Sequence, residues 1–254
     1  MGLADRDYYR SAPPSRGAIF RVRMWSVTHW LVAINIAVFL IDDPLKRLTG
    51  SRISLTDLGY FSTDDAIIHL QLWRFITFQF LHASISHIFL NMLGLYLFGQ
   101  IVESVIGPRR YLAFYLLCGV AGALNLMLLE SIHLLPAGMS TGLVGASAGI
   151  YGLLVAAAIV APDVQIILLI FPMRIRTAAV LAMVMAVYAV VAAEKDSNFG
   201  GEAAHLGGGI LGFILIKNIN WLNFLEPRRR SGMYIGPRRK RGFFGKDWSK
   251  DTDH

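Results

Sequence analysis

Four side chains in this apolar 254-residue chain are of types that suit acyl transfer: Ser147, His205, His87 and Asn91. A serine beside a histidine supplies a nucleophile and a general base. His87 and Asn91 are spaced i, i+4, so on a helix they share one face and present donors to a developing oxyanion. Gly145 is read as opening the helix that carries Ser147. That puts the serine in a first turn, where unpaired N–H groups and the positive end of the helix dipole favour negative charge. Each residue taken singly has a structural explanation. A lone serine in an apolar helix bonds back to a carbonyl, a lone histidine faces headgroups, and an asparagine joins helices. The case for chemistry rests on whether the chain brings them together.

The elements that must do so are membrane helices. With 55% hydrophobic residues, 16% charged residues and a mean hydropathy of +0.51, the chain cannot cover itself with a water-compatible surface. Disordered, collagen-like and disulfide-stapled classes are excluded as well. The single cysteine, Cys118, lies in an apolar run and reads as a small buried hydrophobe. Six continuous apolar runs stand out: Trp25 to Ile41, His87 to Ile106, Tyr111 to Leu129, Gly145 to Ala161, Thr177 to Ala193 and Ala203 to Leu222. The expected fold class is therefore an all-α polytopic membrane protein with six transmembrane helices. A further apolar stretch, Val164 to Phe171, is read as a connector lying at the interface. Three regions follow: a basic N-terminal segment over 1–24, a membrane domain over 25–222 and a basic tail over 223–254.

Charge fixes the expected orientation. Of the 24 Lys and Arg residues, all but Lys46, Arg47, Arg52, Arg74 and Lys195 fall on one side of a six-span topology, which puts both termini in the cytoplasm. The second, fourth and sixth runs then point the same way. His87, Asn91, Ser147 and His205 all lie near the beginning of theirs, at one depth near the outer surface. Two small-xxx-small pairs, Gly145 with Gly149 and Gly208 with Gly212, would let the fourth and sixth helices pack closely and bring Ser147 to His205. Zinc and paired-aspartate chemistries lack their parts. No His-Glu-xx-His occurs, and the spans so drawn contain no Asp, so neither a metal nor any other cofactor is expected.

Placed in order on these spans, the motifs resemble those of the rhomboid intramembrane serine proteases. The likeness runs from about Leu70 to Gly212. It rests on Trp73-Arg74, His87-xxx-Asn91, the run Gly145-Ala146-Ser147-Ala148-Gly149-Ile150-Tyr151, and Ala204-His205-Leu206-Gly207-Gly208 followed by Gly212. The resemblance implies a rhomboid-like bundle in which Ser147 is nucleophile and His205 base, a dyad with no third carboxylate. It also implies that His87, Asn91 and the backbone around Ser147 hold the oxyanion, and that Tyr151 packs on the catalytic imidazole. Glu103 and Trp73-Arg74 match structural positions, the latter bracing the long first loop. Two departures are visible. Ala148 stands where the family has Gly after the nucleophile, adding a methyl beside the oxyanion hole. Gln71 replaces an acidic residue two positions before Trp73, which weakens the expected bracing.

The implied reaction is hydrolysis of a peptide bond in a transmembrane protein substrate within the lipid bilayer, with the connection from Glu194 to Glu202 as a mobile cap. The alternatives are a catalytically inactive rhomboid-like protein that binds membrane clients, or a small membrane transporter, though no internal repeat is visible. The expected location is a bacterial plasma membrane. The tail's basic clusters, interleaved with Tyr234, Phe243, Phe244 and Trp248, suit anionic inner-leaflet lipid; nucleic acid is not expected as a partner.

Overall fold

Each of the six apolar runs is helical in the computed structural model, which describes residues 25–48, 50, 54–134, 142–168, 171–192 and 198–226. The basic N-terminal segment, the tail from 227 and residues 194–197 of the expected cap lie outside the described residues.

The first helix, α1 (Val27–Leu48), runs past the expected boundary at Ile41; its apolar part ends at Asp42 and it carries Pro44. Its start is fixed from a distance. Glu103 accepts hydrogen bonds from the N–H groups of Val27 (2.7 Å) and Thr28 (2.9 Å) and from the Thr28 hydroxyl (2.7 Å). A carboxylate there satisfies orphan donors and complements the helix dipole. Asp42 in turn receives the start of α2 (Leu55–Gly59), accepting from Leu55 N–H at 2.6 Å and the Thr56 hydroxyl at 2.7 Å.

The long first loop is a compact unit built of α2, a π-helical turn over Asp64–Ile68, α3 (Arg74–Thr77) and a 3-10 turn over Phe78–Phe80. Phe61 and Phe78 pack inward while Leu70, Leu72 and Trp73 face outward. Arg74, only 5% exposed, clamps the unit. It donates to Tyr60 O at 2.5 Å, Asp57 O at 2.9 Å and the Gln71 amide oxygen at 2.7 Å, with Asp65 at 3.9 Å. The expected weakening by Gln71 is thus corrected: its amide oxygen is the acceptor for Arg74 Nε, and Asp65 supplies the acid. Hydrogen bonds from Ser62 and Tyr60 hold the Asp65 carboxyl below its ordinary range, so it stays ionised beside the guanidinium.

The second apolar run is α4 (Ile85–Ile106), begun by Ser84, whose hydroxyl accepts from His87 N–H. It ends at Gly107 with φ +83°, and Pro108 opens α5 (Pro108–Ser131), where a missing N–H costs nothing. The fourth run is shorter than expected: α6 (Ser147–Val160) has 14 residues, about 21 Å at 1.5 Å per residue. The Val164 to Phe171 connector is not a plain interfacial stretch. It forms part of an antiparallel hairpin of β1 (Gln165–Leu168) and β2 (Phe171–Arg174), in which Ile166 is buried and Ile167 exposed, the alternation of a strand. The bundle closes with α7 (Ile175–Ala192), α8 (Phe199–Lys217) and a 3-10 segment over Ile219–Leu225.

Length and composition qualify α4, α5, α7 and α8 to cross a membrane; the apolar helices Val27–Asp42 and Ser147–Val160 are shorter. The shortness of α6 has a physical basis, because it lies in the middle of the bundle against α4, α5 and α8. Non-helical backbone at its ends is tolerable at membrane depth where protein rather than lipid surrounds it. By contrast α7 exposes Val180, Val184, Met185, Val187 and Val191, a surface suited to lipid.

Candidate active site

Glycine governs how closely α5, α6 and α8 approach. A Cβ at Gly212 would lie 2.5 Å from Gly152 Cα, and one at Gly208 would strike the Ala148 carbonyl. The α8 half of the expected contact is therefore Gly208 with Gly212, but its partner face on α6 is Ala148 with Gly152. Gly145 precedes the helix, at φ +125°, and Gly149 faces α5 instead, where a Cβ would meet Tyr115 at 2.6 Å. Helical spacing alone does not say which of two adjacent faces meets which neighbour. Gly122 of α5 sits against both Ala148 and Ala204, the chain neighbours of Ser147 and His205, so three backbones converge directly beside the site.

That convergence places Ser147, the first residue of α6, against His205 in the second turn of α8. Ser147 Oγ lies 2.8 Å from His205 Nε2. The Tyr151 ring stacks on the imidazole with centroids 4.0 Å apart and planes 6° apart, which fixes the ring's plane. On its other nitrogen, His205 Nδ1 is 3.1 Å from a carboxylate oxygen of Glu202, three residues earlier in the same helix. The expected dyad thus has an acidic neighbour. Sequence reasoning missed it because the sixth run was drawn from Ala203, which left Glu202 in a loop; the i, i+3 spacing of Glu and His was the available signal.

His87 stands across Gly145 from the serine. A Cβ at Gly145 would lie 2.8 Å from His87 Nε2 and 3.7 Å from Ser147 Oγ, so the glycine leaves a small space that both groups border. Ala83 N–H donates to His87 Nδ1 at 3.4 Å, which leaves a neutral ring's proton on Nε2, facing that space. Asn91, one turn on, is 6% exposed; its amide nitrogen donates to His87 O at 2.9 Å and keeps a second hydrogen. The N–H groups of the first turn of α6, which Ser147 opens, lack intrahelical partners. The Ala148 methyl points elsewhere, towards Gly122 of α5, so the added carbon is a packing group between helices.

A family model for the Rhomboid domain matches residues 69–219, well over half of the chain and inclusive of every residue just described. This chain belongs to the rhomboid family. Among curated proteins, RHOMBOID-like protein 2 of Arabidopsis thaliana is 27% identical over 284 residues, covering 91% of this chain and 84% of that protein. Rhomboid-like protease 3 of Toxoplasma gondii is 29% identical over 123 residues, 48% of this chain and 45% of its own. Rhomboid protease GluP of Bacillus subtilis is 28% identical over 111 residues, 43% of this chain and 21% of its own. The chain spans most of the plant relative and less than half of the other two. Membership, with four helices long and apolar enough to cross, makes this rhomboid an integral multi-pass membrane protein.

Two further polar residues of this rhomboid went unread in the sequence. Asn125 of α5 donates to Ala203 O at 2.8 Å, tying α5 to the turn of α8 that carries His205. Gln79, fully buried, donates to Phe75 O and Leu116 O and so anchors the first loop on α5. Each is a lone amide in an apolar run, a pattern without a spacing to recognise. Trp73 and Arg74 stand apart from the site, in the loop, where the Trp73 indole donates to Leu58 O at 3.1 Å.

Proposed function

We propose that this chain is an intramembrane serine endopeptidase that cuts transmembrane protein substrates in the bilayer. The observation that carries the reading is the 2.8 Å approach of Ser147 Oγ to His205 Nε2 between helices that no local sequence contact joins. Ser147 attacks the scissile carbonyl while His205 takes its proton and returns it to the leaving amine; water then releases the acyl group. The oxyanion forms in the space beside Gly145, where His87 Nε2–H, the Asn91 amide and the first-turn N–H groups of α6 supply donors. Two of the relatives named above are proteases by name, which supports the class.

Orientation follows from the distribution of Lys and Arg, which favours cytoplasmic termini and a site opening outward. The bacterial plasma membrane is our reading of the sequence; relatives come from a plant, a protozoan and a bacterium and do not narrow the compartment. Anionic lipid at the tail rests on charge alone, since residues 227–254 lie outside the described residues. The test is to reconstitute the chain in lipid with a panel of single-span substrates. Wild type is expected to cleave and to react with a fluorophosphonate at Ser147, while Ser147→Ala and His205→Ala do neither. Cleavage that persists in Ser147→Ala overturns the serine mechanism.

A further inference from the structure

We infer that Glu202 is a positioning residue for His205, so that this chain works with a Ser147–His205–Glu202 relay of contacts. The inference rests on the serine-protease reading and adds to it a group that sets the imidazole's tautomer and supports its positive charge.

The argument starts from what each atom can do. An ionised carboxylate only accepts hydrogen bonds, and a neutral imidazole carries one N–H and one lone pair. With Glu202 Oε2 3.1 Å from Nδ1, the ring's proton belongs on Nδ1. Nε2 is left as the lone pair, and it is the nitrogen that faces Ser147 Oγ. The opposite tautomer would aim N–H at the hydroxyl and a lone pair at the carboxylate, losing the base and setting two acceptors against each other.

Three surroundings reinforce this arrangement. Glu202 lies in the first turn of α8, where an acidic side chain complements the positive end of the helix dipole. The parallel Tyr151 ring keeps the imidazole plane aligned with both partners. Burial is substantial, with the His205 side chain 12% and the Glu202 side chain 26% exposed. When the Ser147 proton moves to Nε2, the imidazolium carries its charge 3.1 Å from a carboxylate that remains ionised, and the proton on Nδ1 stays there. His87 on α4 supplies no counter-charge for that cation, since it is itself a base. Among the described residues, Glu202 is the carboxylate in contact with His205.

A purely structural Glu202, serving only the end of α8, makes different predictions. Steady-state kinetics in proteoliposomes on Glu202→Gln, Glu202→Ala and Glu202→Asp separates them, with thermal unfolding as the fold control. The positioning role lowers kcat by about 10- to 100-fold in Gln and Ala with KM little changed, and Asp recovers part of the loss because it restores charge. The loss is smaller than for a fully buried carboxylate because solvent reaches Glu202. Independently of turnover, histidine 15N NMR of the full chain reads the tautomer: His205 carries its proton on Nδ1 in wild type and loses that preference in Glu202→Ala. Wild-type kcat in both Gln and Ala while Ser147→Ala is inert, or a wild-type His205 protonated on Nε2, overturns the inference. A wild type that cleaves nothing sinks the protease reading instead, and the NMR still decides the role of Glu202.

Discussion

Replacing Gly208 by alanine puts one methyl group where α8 and α6 touch, one turn below His205 and beside Ser147. A Cβ at this position lies 2.7 Å from the Ala148 carbonyl carbon and 3.2 Å from its Cα, and closer still to the oxygen. Carbon contacts settle near 3.5 Å or more, so the two backbones must part by roughly 1 Å. Ala148 is a backbone neighbour and has no rotamer by which to escape. Transmitted to the adjacent residues, that separation takes Ser147 Oγ and His205 Nε2 from 2.8 Å to about 3.8 Å, beyond the reach of proton transfer near 3.2 Å. A misplacement of this size costs on the order of 100-fold in rate, and overpacking costs about 1–3 kcal/mol in stability. The assay is kcat on a single-span substrate in proteoliposomes, beside thermal unfolding. Gly94→Ala is the matched control, since its Cβ would meet side chains rather than backbone, Ile150 at 3.0 Å and Phe98 at 3.7 Å. If folded Gly208→Ala cut at a rate within about twofold of wild type, the claim that this close approach sets the site would be refuted.

Three other outcomes follow from the geometry. Gly145→Ala fills the space beside His87 and forces a side chain onto φ +125°; fluorophosphonate labelling and turnover are expected to fall together by at least about tenfold with the fold retained. Glu103→Ala strips three acceptor contacts from the start of α1, far from the serine, and is expected to cost about 1–3 kcal/mol in unfolding while kcat per folded molecule stays put. His82, just before α4, is buried, and that burial, with a lesser effect of neighbouring His87, lowers its pKa from 6.5 to about 4. The unfolded chain then binds the extra proton first, so stability is full above pH 6.5 and falls as pH drops towards 4, by about 3 kcal/mol in total. In His82→Phe this part of the acid loss should vanish from pH-dependent unfolding curves.

What could be read from the chain divides along physical lines. Apolar runs were legible because lipid demands about 20 apolar residues and a helix, but their ends were not: α1 continues to Leu48, and α8 begins at Phe199 and ends at Lys217. The shortness of α6 was not legible either, since it is set by burial among neighbours that a linear reading does not weigh. The meeting of Ser147 with His205 was legible from their common depth on helices running the same way, while the stacking of Tyr151 on the imidazole came from the family resemblance alone. The partner face on α6 was misassigned because Gly145, the first of the expected pair, adopts a left-handed backbone and lies before the helix. Glu202 escaped notice because the connection was carried as far as Glu202 and the sixth run begun at Ala203, whereas α8 begins at Phe199 and a helix N-terminus welcomes an acidic residue. The hairpin after α6 was missed because a short apolar run does not itself distinguish strand from interfacial segment.

The Arg74 clamp has a consequence for how the outer surface is able to vary. Two of its strongest grips are on peptide oxygens, those of Asp57 and Tyr60, which every sequence possesses. Side chains such as Leu58, which stand on the outside of that segment, are therefore free to change without altering the path of the chain beneath them. The loop is a fixed armature under a replaceable coat, and kindred proteins can present different exteriors to their surroundings while the architecture behind stays put.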